Sequence, residues 1–348
     1  MNVRLVTTWN QPCGIAEHSA MLKEAVEAAD PAIEITPDSA ALDPQDFFAS
    51  YDWATDKPDI LHLNYHAALH SRWTPTQVAR VQAKGLKVIV TYHDTIGEIS
   101  PAELRASGDH RLDRLEQLAQ IVDALVVHEP CEGLLGGEYY WRMGVPAPLS
   151  PLQRLPLAWR DQPMLGSIGF PFPWKNYDQL ATITREIGWA LLLIAPGATA
   201  AQADEWRRLN PDATIYPAFL PRAHALSLLS ACDATAFPYT CANTAQSAAI
   251  LQGIAARKPV IATAHCRQFR ALFNDPLGRT AITWVEALDE IAFTLSHLIR
   301  IERCSPAIVA LAKQDAWAKL GQQYAELYRK LASRAVARAA LAPQESRK

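Results

Sequence analysis

Six short stretches of this chain could do chemistry, and each follows an apolar run. They are Asn10 to His18, the trio His62, Asn64 and His66, the pair His93-Asp94, the pair His128-Glu129, the pair Lys175-Asn176, and Tyr239 to Ser247. Imidazoles change protonation near neutral pH and can move a proton or orient a reacting group. A lysine at a helix start can neutralise phosphate. In open α/β sheets, ligands bind beyond the carboxyl ends of the strands, so polar residues gathered at such ends point to a site. A zinc reading of His62 and His66 is the competitor. Their spacing on a strand keeps them on one face but well apart, and no HExxH occurs, so no metal is expected.

Two stretches carry most of the argument. The first runs Gly166-Ser-Ile-Gly-Phe-Pro-Phe-Pro-Trp-Lys175-Asn176-Tyr177. A glycine-flanked strand and a Pro/aromatic loop lead to a lysine beside exposed N–H groups, which suits a diphosphate. The second, residues 237–264, reads as strand, polar loop, helix from about Thr244, then the strand Val260 to Thr263. So close a succession forms a right-handed βαβ unit. Its helix start carries Asn243, Thr244, Ala245, Gln246 and Ser247 without a carboxylate, as an anion site requires.

The elements that must position these residues alternate along the chain. Strands are expected at Val3–Trp9, Ile60–Tyr65, Val88–Tyr92 and Ala124–Val127, with helices after Gly14, near 75–84 and near 109–121. Residues 37–58 read as irregular. A proline-rich stretch at 145–163, holding Pro146, Pro148, Pro151, Pro156 and Pro163, reads as a domain boundary. Alternation then restarts at Met164, and the last forty or so residues keep helical spacing through Leu320, Tyr324, Leu327, Tyr328 and Leu331. The fold class expected is α/β, with domains over 1–150 and 160–310 and a terminal helix and tail over 311–348.

Composition narrows the function. With 348 residues the chain has room for two domains; 49% apolar and 20% charged residues describe a globular protein. A net charge of −3 offers no field for nucleic acid. Six scattered cysteines without CxxC read as reduced thiols, and no apolar run approaches the length of a membrane span. A cytoplasmic protein without an integral membrane segment is expected. There is no Walker A motif and no GxGxxG, so neither P-loop hydrolysis nor a dinucleotide site is supported.

The order of the motifs is similar to that of GT-B glycosyltransferases, most closely the family 4 group that uses nucleotide sugars. The matching residues are Cys13-Gly14-Ile15-Ala16, Pro58-Asp59-Ile60-Leu61-His62, Val88 to Asp94, Gly169-Phe170 with Lys175-Asn176-Tyr177-Asp178, and Ser247 through Thr263. The resemblance implies two Rossmann-like domains with an inter-domain cleft, the acceptor in the first and the nucleotide sugar in the second. It implies that Gly14 approaches the donor, that His93 sits beside the reacting sugar, and that Lys175 neutralises the diphosphate. Asn176, Tyr239 and Asn243 through Ser247 line the donor site, with the main chain around Phe219 holding the base. Glu17, His18 and Asp94 are candidate bases should transfer invert, and His62, Asn64, His66 and His128 line the acceptor side. The co-substrate implied is a nucleoside diphosphate sugar, UDP-sugar favoured, with a hydroxyl acceptor: glycan, lipid-linked sugar, small molecule, protein or modified DNA.

Two parts of the family pattern are absent, and one is the Arg that often accompanies the phosphate lysine, in whose region Phe170 or Phe172 stands. The other is the paired glutamates, which would fall at Thr244 and Gln252. Gln252 can still hydrogen-bond a ribose, but Thr244 cannot replace a carboxylate. No DxD occurs, which fits a fold in which Lys175 and a helix N-terminus do the work of a metal; retention of anomeric configuration is favoured, with the leaving diphosphate helping to deprotonate the acceptor. The alternatives are a catalytically silent GT-B-like module that binds a glycan or protein, and a sugar-nucleotide epimerase.

Overall fold

The computed structural model describes residues 1–51, 53, 57–93, 111–128, 139–148, 162–240, 246–298 and 305–341. The chain divides into two compact units. One is Met1–Arg142 together with Trp317–Lys348, and the other is Met143–Ala316.

The first unit holds a parallel sheet of β1 (Asn2–Val6), β2 (Glu34–Asp38), β3 (Ile60–Tyr65), β4 (Lys87–Tyr92), β5 (Ala124–Val127) and the short β6 (Tyr139–Tyr140), in the order β2-β1-β3-β4-β5-β6. Both faces are covered, which is why β3 and β4 are nearly continuous apolar runs. Alternate residues go to opposite faces. Val3, Leu5, Ile60, Ile89 and Val126 pack on one side against α1 (Gly14–Ala29) and the terminal helix. Leu61, Leu63, Val88, Val90 and Leu125 pack on the other with residues of α2 (Pro44–Ala49), α3 (Pro75–Ala83) and α4 (Arg111–Ile121). His62 and Asn64 share the parity of Ile60, and Thr91 and His93 that of Ile89. All four therefore face the layer of α1 and the terminal helix.

In the second unit the parallel order is β12-β11-β10-β7-β8-β9, built from β7 (Met164–Ile168), β8 (Ala190–Ile194), β9 (Ala213–Tyr216), β10 (Ala234–Phe237), β11 (Val260–Thr263) and β12 (Ile282–Val285). One face takes α5 (Tyr177–Glu186), α6 (Ala200–Leu209) and α11 (Glu290–Leu298); the other takes α7 (Arg222–Ala231), α8 (Ala248–Ala255), the short α9 (Arg270–Phe273) and α12 (Pro306–Gln314). Between α9 and α12, α10 (Pro276–Ala281) carries Gly278 against the Leu272 carbonyl.

The chain returns to the first unit in α13 (Trp317–Leu341), which lies along α1. Gly321 permits this: a side chain there would run into the Ala25 carbonyl. Tyr324 and Tyr328 then reach the sheet, 2.7 Å from Thr91 Oγ1 and 2.7 Å from His62 Nδ1.

The stretch read as irregular is partly ordered. β2 pairs with β1 in parallel as an edge strand, where Pro37 costs little. α2 is set by the Asp43 carboxylate accepting from Gln45 N at 2.9 Å, with proline in its first turn. Six residues are too few to show a helical period. The helix expected from Thr244 begins at Ala248, with Ser247 as its N-cap.

Candidate functional site

Each sheet reverses its order at one point, β1/β3 in the first unit and β7/β10 in the second. Crevices form beyond the carboxyl ends of strands at such points.

In the second unit, β7 is followed by Gly169, whose φ of 140° favours glycine. A Cβ at this position would collide with Lys175 Nζ. Lys175 ends a short 3₁₀ turn, Pro173–Lys175, and is 5% exposed. Its ammonium stands 4.7 Å from the centroid of the Tyr239 ring and 5.4 Å from that of Trp174. Cation–π contact of this kind holds a charge without neutralising it. Burial lowers its pKa to about 7, opposed only by the Cys266 thiol. An amine poised so gains a full charge when an anion arrives.

The neighbours of Lys175 are largely committed to building it. Asn176 has φ 55°, and its side-chain amide donates to Pro238 O at 2.6 Å and to Thr240 Oγ1 at 3.1 Å, tying the turn to the end of β10. Tyr239 is fully buried and donates to Ile168 O at 3.0 Å. Gln246 accepts from Met143 N at 2.8 Å, and its Nε2 is buried without a partner. Ser247 is buried at the start of α8, and its hydroxyl reaches the Tyr239 phenol. Gln252 Oε1 is buried and unpartnered. Phe219, beyond β9, is 40% exposed. Asn243, Thr244 and Ala245 lie outside the described residues.

In the first unit, the carboxyl ends of β3, β4 and β5 bring Asn64, His93 and His128 against His18 of α1. His93 Nε2 donates to Asn64 Oδ1 at 2.5 Å. The Asn64 amide donates to Ser19 Oγ at 2.6 Å and lies 3.3 Å from His18 Nδ1. Ser19 is held in turn by Thr7 Oγ1 and by Ile15 O. His128 Nδ1 donates to Trp141 O at 2.8 Å. The three rings meet edge-to-face or tilted at centroid distances of 4.5, 5.0 and 5.4 Å, and Trp317 packs edge-on against His18 at 5.0 Å.

Burial holds His18 and His93 well below the ordinary imidazole value, and the neighbouring imidazoles push further; His128 falls to about 4. All three are therefore neutral at pH 7, suited to orienting or ligating. His62 is spent otherwise, with Tyr328 on Nδ1 and Thr91 2.8 Å from Nε2. His66 is half-buried in the following turn, its Nδ1 accepting from Ala68 N. Glu17 is half-buried in the first turn of α1. Gly14 opens that helix with nothing near an added Cβ, so packing does not demand glycine. Asp94 lies outside the described residues. Sequence reasoning missed Ser19, Thr7 and Trp141, whose roles depend on contacts across the sheet, and Cys266. Gly169 was legible only as a motif member; its φ and its contact with Lys175 supply the reason.

No family model and no curated protein matches the sequence. Solved structures match over nearly the whole chain. A trehalose-6-phosphate synthase from E. coli bound with UDP-2-fluoro glucose shares 11% identity, covering 94% of this chain and 98% of that one at a TM-score of 0.62. AviGT4, a glycosyltransferase involved in avilamycin A biosynthesis, shares 14%, covering 95% and 98% at 0.56. A UDP-forming trehalose-phosphate synthase from Burkholderia xenovorans shares 10%, covering 86% and 77% at 0.52. The fold is thus GT-B: α/β, with two Rossmann-like domains. Among the described residues, no helix is long and apolar enough to cross a membrane.

Proposed function

We propose that this protein is a glycosyltransferase, moving a hexose from a nucleoside diphosphate sugar to a hydroxyl acceptor with retention. UDP-sugar is the favoured donor, and the setting is cytoplasmic. The observation that carries the reading is Lys175, a buried amine at the reversal point of its sheet, given room by Gly169. It has the placement and chemistry to take a diphosphate. The likeness to sugar-nucleotide transferases supports it, and the motif order supports a tie to family 4.

In this reading the second unit holds the donor. Charge accumulating on the departing diphosphate falls on the Lys175 ammonium and on the Ser247 hydroxyl. The diphosphate oxygen takes the proton from the acceptor hydroxyl as the new glycosidic bond forms, so no protein base is required. The first unit supplies His93, which Asn64 fixes with one ring nitrogen engaged and Nδ1 left to accept from a sugar hydroxyl.

Calorimetry with UDP, GDP and uridine, followed by release of UDP from a UDP-sugar, tests the reading. Binding of UDP well above uridine, with turnover, is expected. Binding without any turnover would leave a binding module, and no preference for the diphosphates would remove the donor site.

A further inference from the structure

The histidine cluster of the first unit has unfilled capacity. His18 Nε2 and His128 Nε2 are buried and have no hydrogen-bond partner, and Trp317 Nε1 beside them is a third such atom. His18 and His128 are each 1% exposed and His93 6%. Buried polar atoms left so are uncommon and destabilising. An apolar core would have no reason to gather three imidazoles.

The tautomers add direction. His128 gives its Nδ1 proton to a carbonyl, which leaves the Nε2 lone pair bare. His93 gives its Nε2 proton to Asn64, which leaves Nδ1 unprotonated. In metal sites a ligating histidine characteristically donates its other ring N–H to such an acceptor. One ligand atom from each of His18, His93 and His128 lies within 4.8 Å of the others. Around an ion with bonds of 2.0–2.1 Å, tetrahedral nitrogens stand roughly 3.4 Å apart, so the rings must close by about 1 Å or a little more.

We propose that His18, His93 and His128 form a three-imidazole site for a first-row divalent ion, zinc or cobalt in class. His128 and His93 are already in the required tautomer. His18 ligates through Nε2, so its proton moves to Nδ1 and the long contact with the Asn64 amide nitrogen is given up. Asn64 is therefore a positioning residue for His93 in the loaded state. The ion would occupy His93 Nδ1, so loading competes with the role given to His93 above. The metal site shares only His93 with the proposed function and none of the Lys175 site, and its tests do not use turnover.

The chelator-treated full-length protein is titrated with Co²⁺ while visible d–d absorption is followed, then with competing Zn²⁺. One ion per chain in a low-symmetry site is expected, with affinity at least tenfold weaker in His128→Gln and in His18→Gln. Asn64→Asp offers a carboxylate oxygen to the His18 Nδ1 proton and should tighten binding by about tenfold. X-ray absorption of the zinc-loaded wild-type protein needs no variant and should show three imidazoles. Co²⁺ affinity unchanged in both glutamine variants, or a zinc shell with fewer than three imidazoles, would overturn the proposal.

Discussion

Gly169 and Lys175 compete for one space: the position of a Cβ on Gly169 is taken by the Lys175 ammonium. The glycine just after β7 and the lysine six residues on are thus a single device. It presses the amine against Tyr239 and Trp174 and out of bulk water.

Replacing Lys175 by alanine should weaken UDP binding by roughly ten- to a hundredfold, because a charge-assisted contact contributes about 1.5–3 kcal/mol. Uridine binding should hardly change. Equal losses for both ligands in calorimetry would separate Lys175 from the phosphates.

Gly169→Ala should reproduce much of that loss without removing the amine. The methyl group displaces Nζ, and φ of 140° is strained for alanine. UDP affinity should fall by about tenfold, with the far-ultraviolet circular dichroism retained. Wild-type affinity in this variant would mean that the position of the amine is unimportant.

The depressed Lys175 value fixes a pH dependence. The folded-state pKa is about 7 against an ordinary 10.5. Burial thus disfavours the ammonium, and its contribution to stability is present above the ordinary value and lost as pH falls through about 7. An anion favours the charged form, so binding UDP above pH 7 should take up a proton. UDP affinity should decline as pH rises beyond that point. Calorimetry in two buffers of different ionisation enthalpy checks the uptake, and Lys175→Ala should abolish it.

His93→Ala should lower turnover by about a hundredfold while leaving donor affinity nearly intact, if the imidazole acts in the transition state. Steady-state kinetics with a UDP-sugar decides this. Unaltered turnover would leave His93 with its cluster alone.

The pair His62 and Tyr328 should govern acid stability of the first unit. Burial lowers the His62 pKa from 6.5 to about 3. Its contribution is therefore complete above 6.5 and lost as pH falls toward 3, at roughly 1.4 kcal/mol per pH unit. His70, lowered to about 4, adds in the same direction. Tyr328→Phe removes the partner of His62 Nδ1 and should cost about 1–3 kcal/mol at neutral pH. Urea unfolding across this pH range measures both effects, and a flat profile would count against buried neutral imidazoles.

Much of this was legible in the sequence because the information is local. Alternating apolar runs and helical spacing are properties of neighbouring residues, and they suffice for two α/β domains and for placing Asn64, His93 and His128 at strand ends and Lys175 in the loop after β7. The short α2 and the edge strand β2 escaped because six and five residues carry little periodicity.

Tertiary structure decided which of those strand-end residues meet. Parity puts His62 and His93 on the same sheet face, but only the packing of α13 gives His62 to Tyr328. Only α1 against β3, β4 and β5 joins His18 to His93 and His128. The sequence argument on metal weighed only His62 and His66, because nothing along the chain joins His18, His93 and His128. Those three imidazoles come from one helix and the ends of two strands, and the distance between them is set by strand order, which spacing along the chain does not encode. Gly169 makes the same point for the other unit. Its motif was readable, whereas its purpose, the space occupied by Lys175, exists only once the 3₁₀ turn folds the chain back.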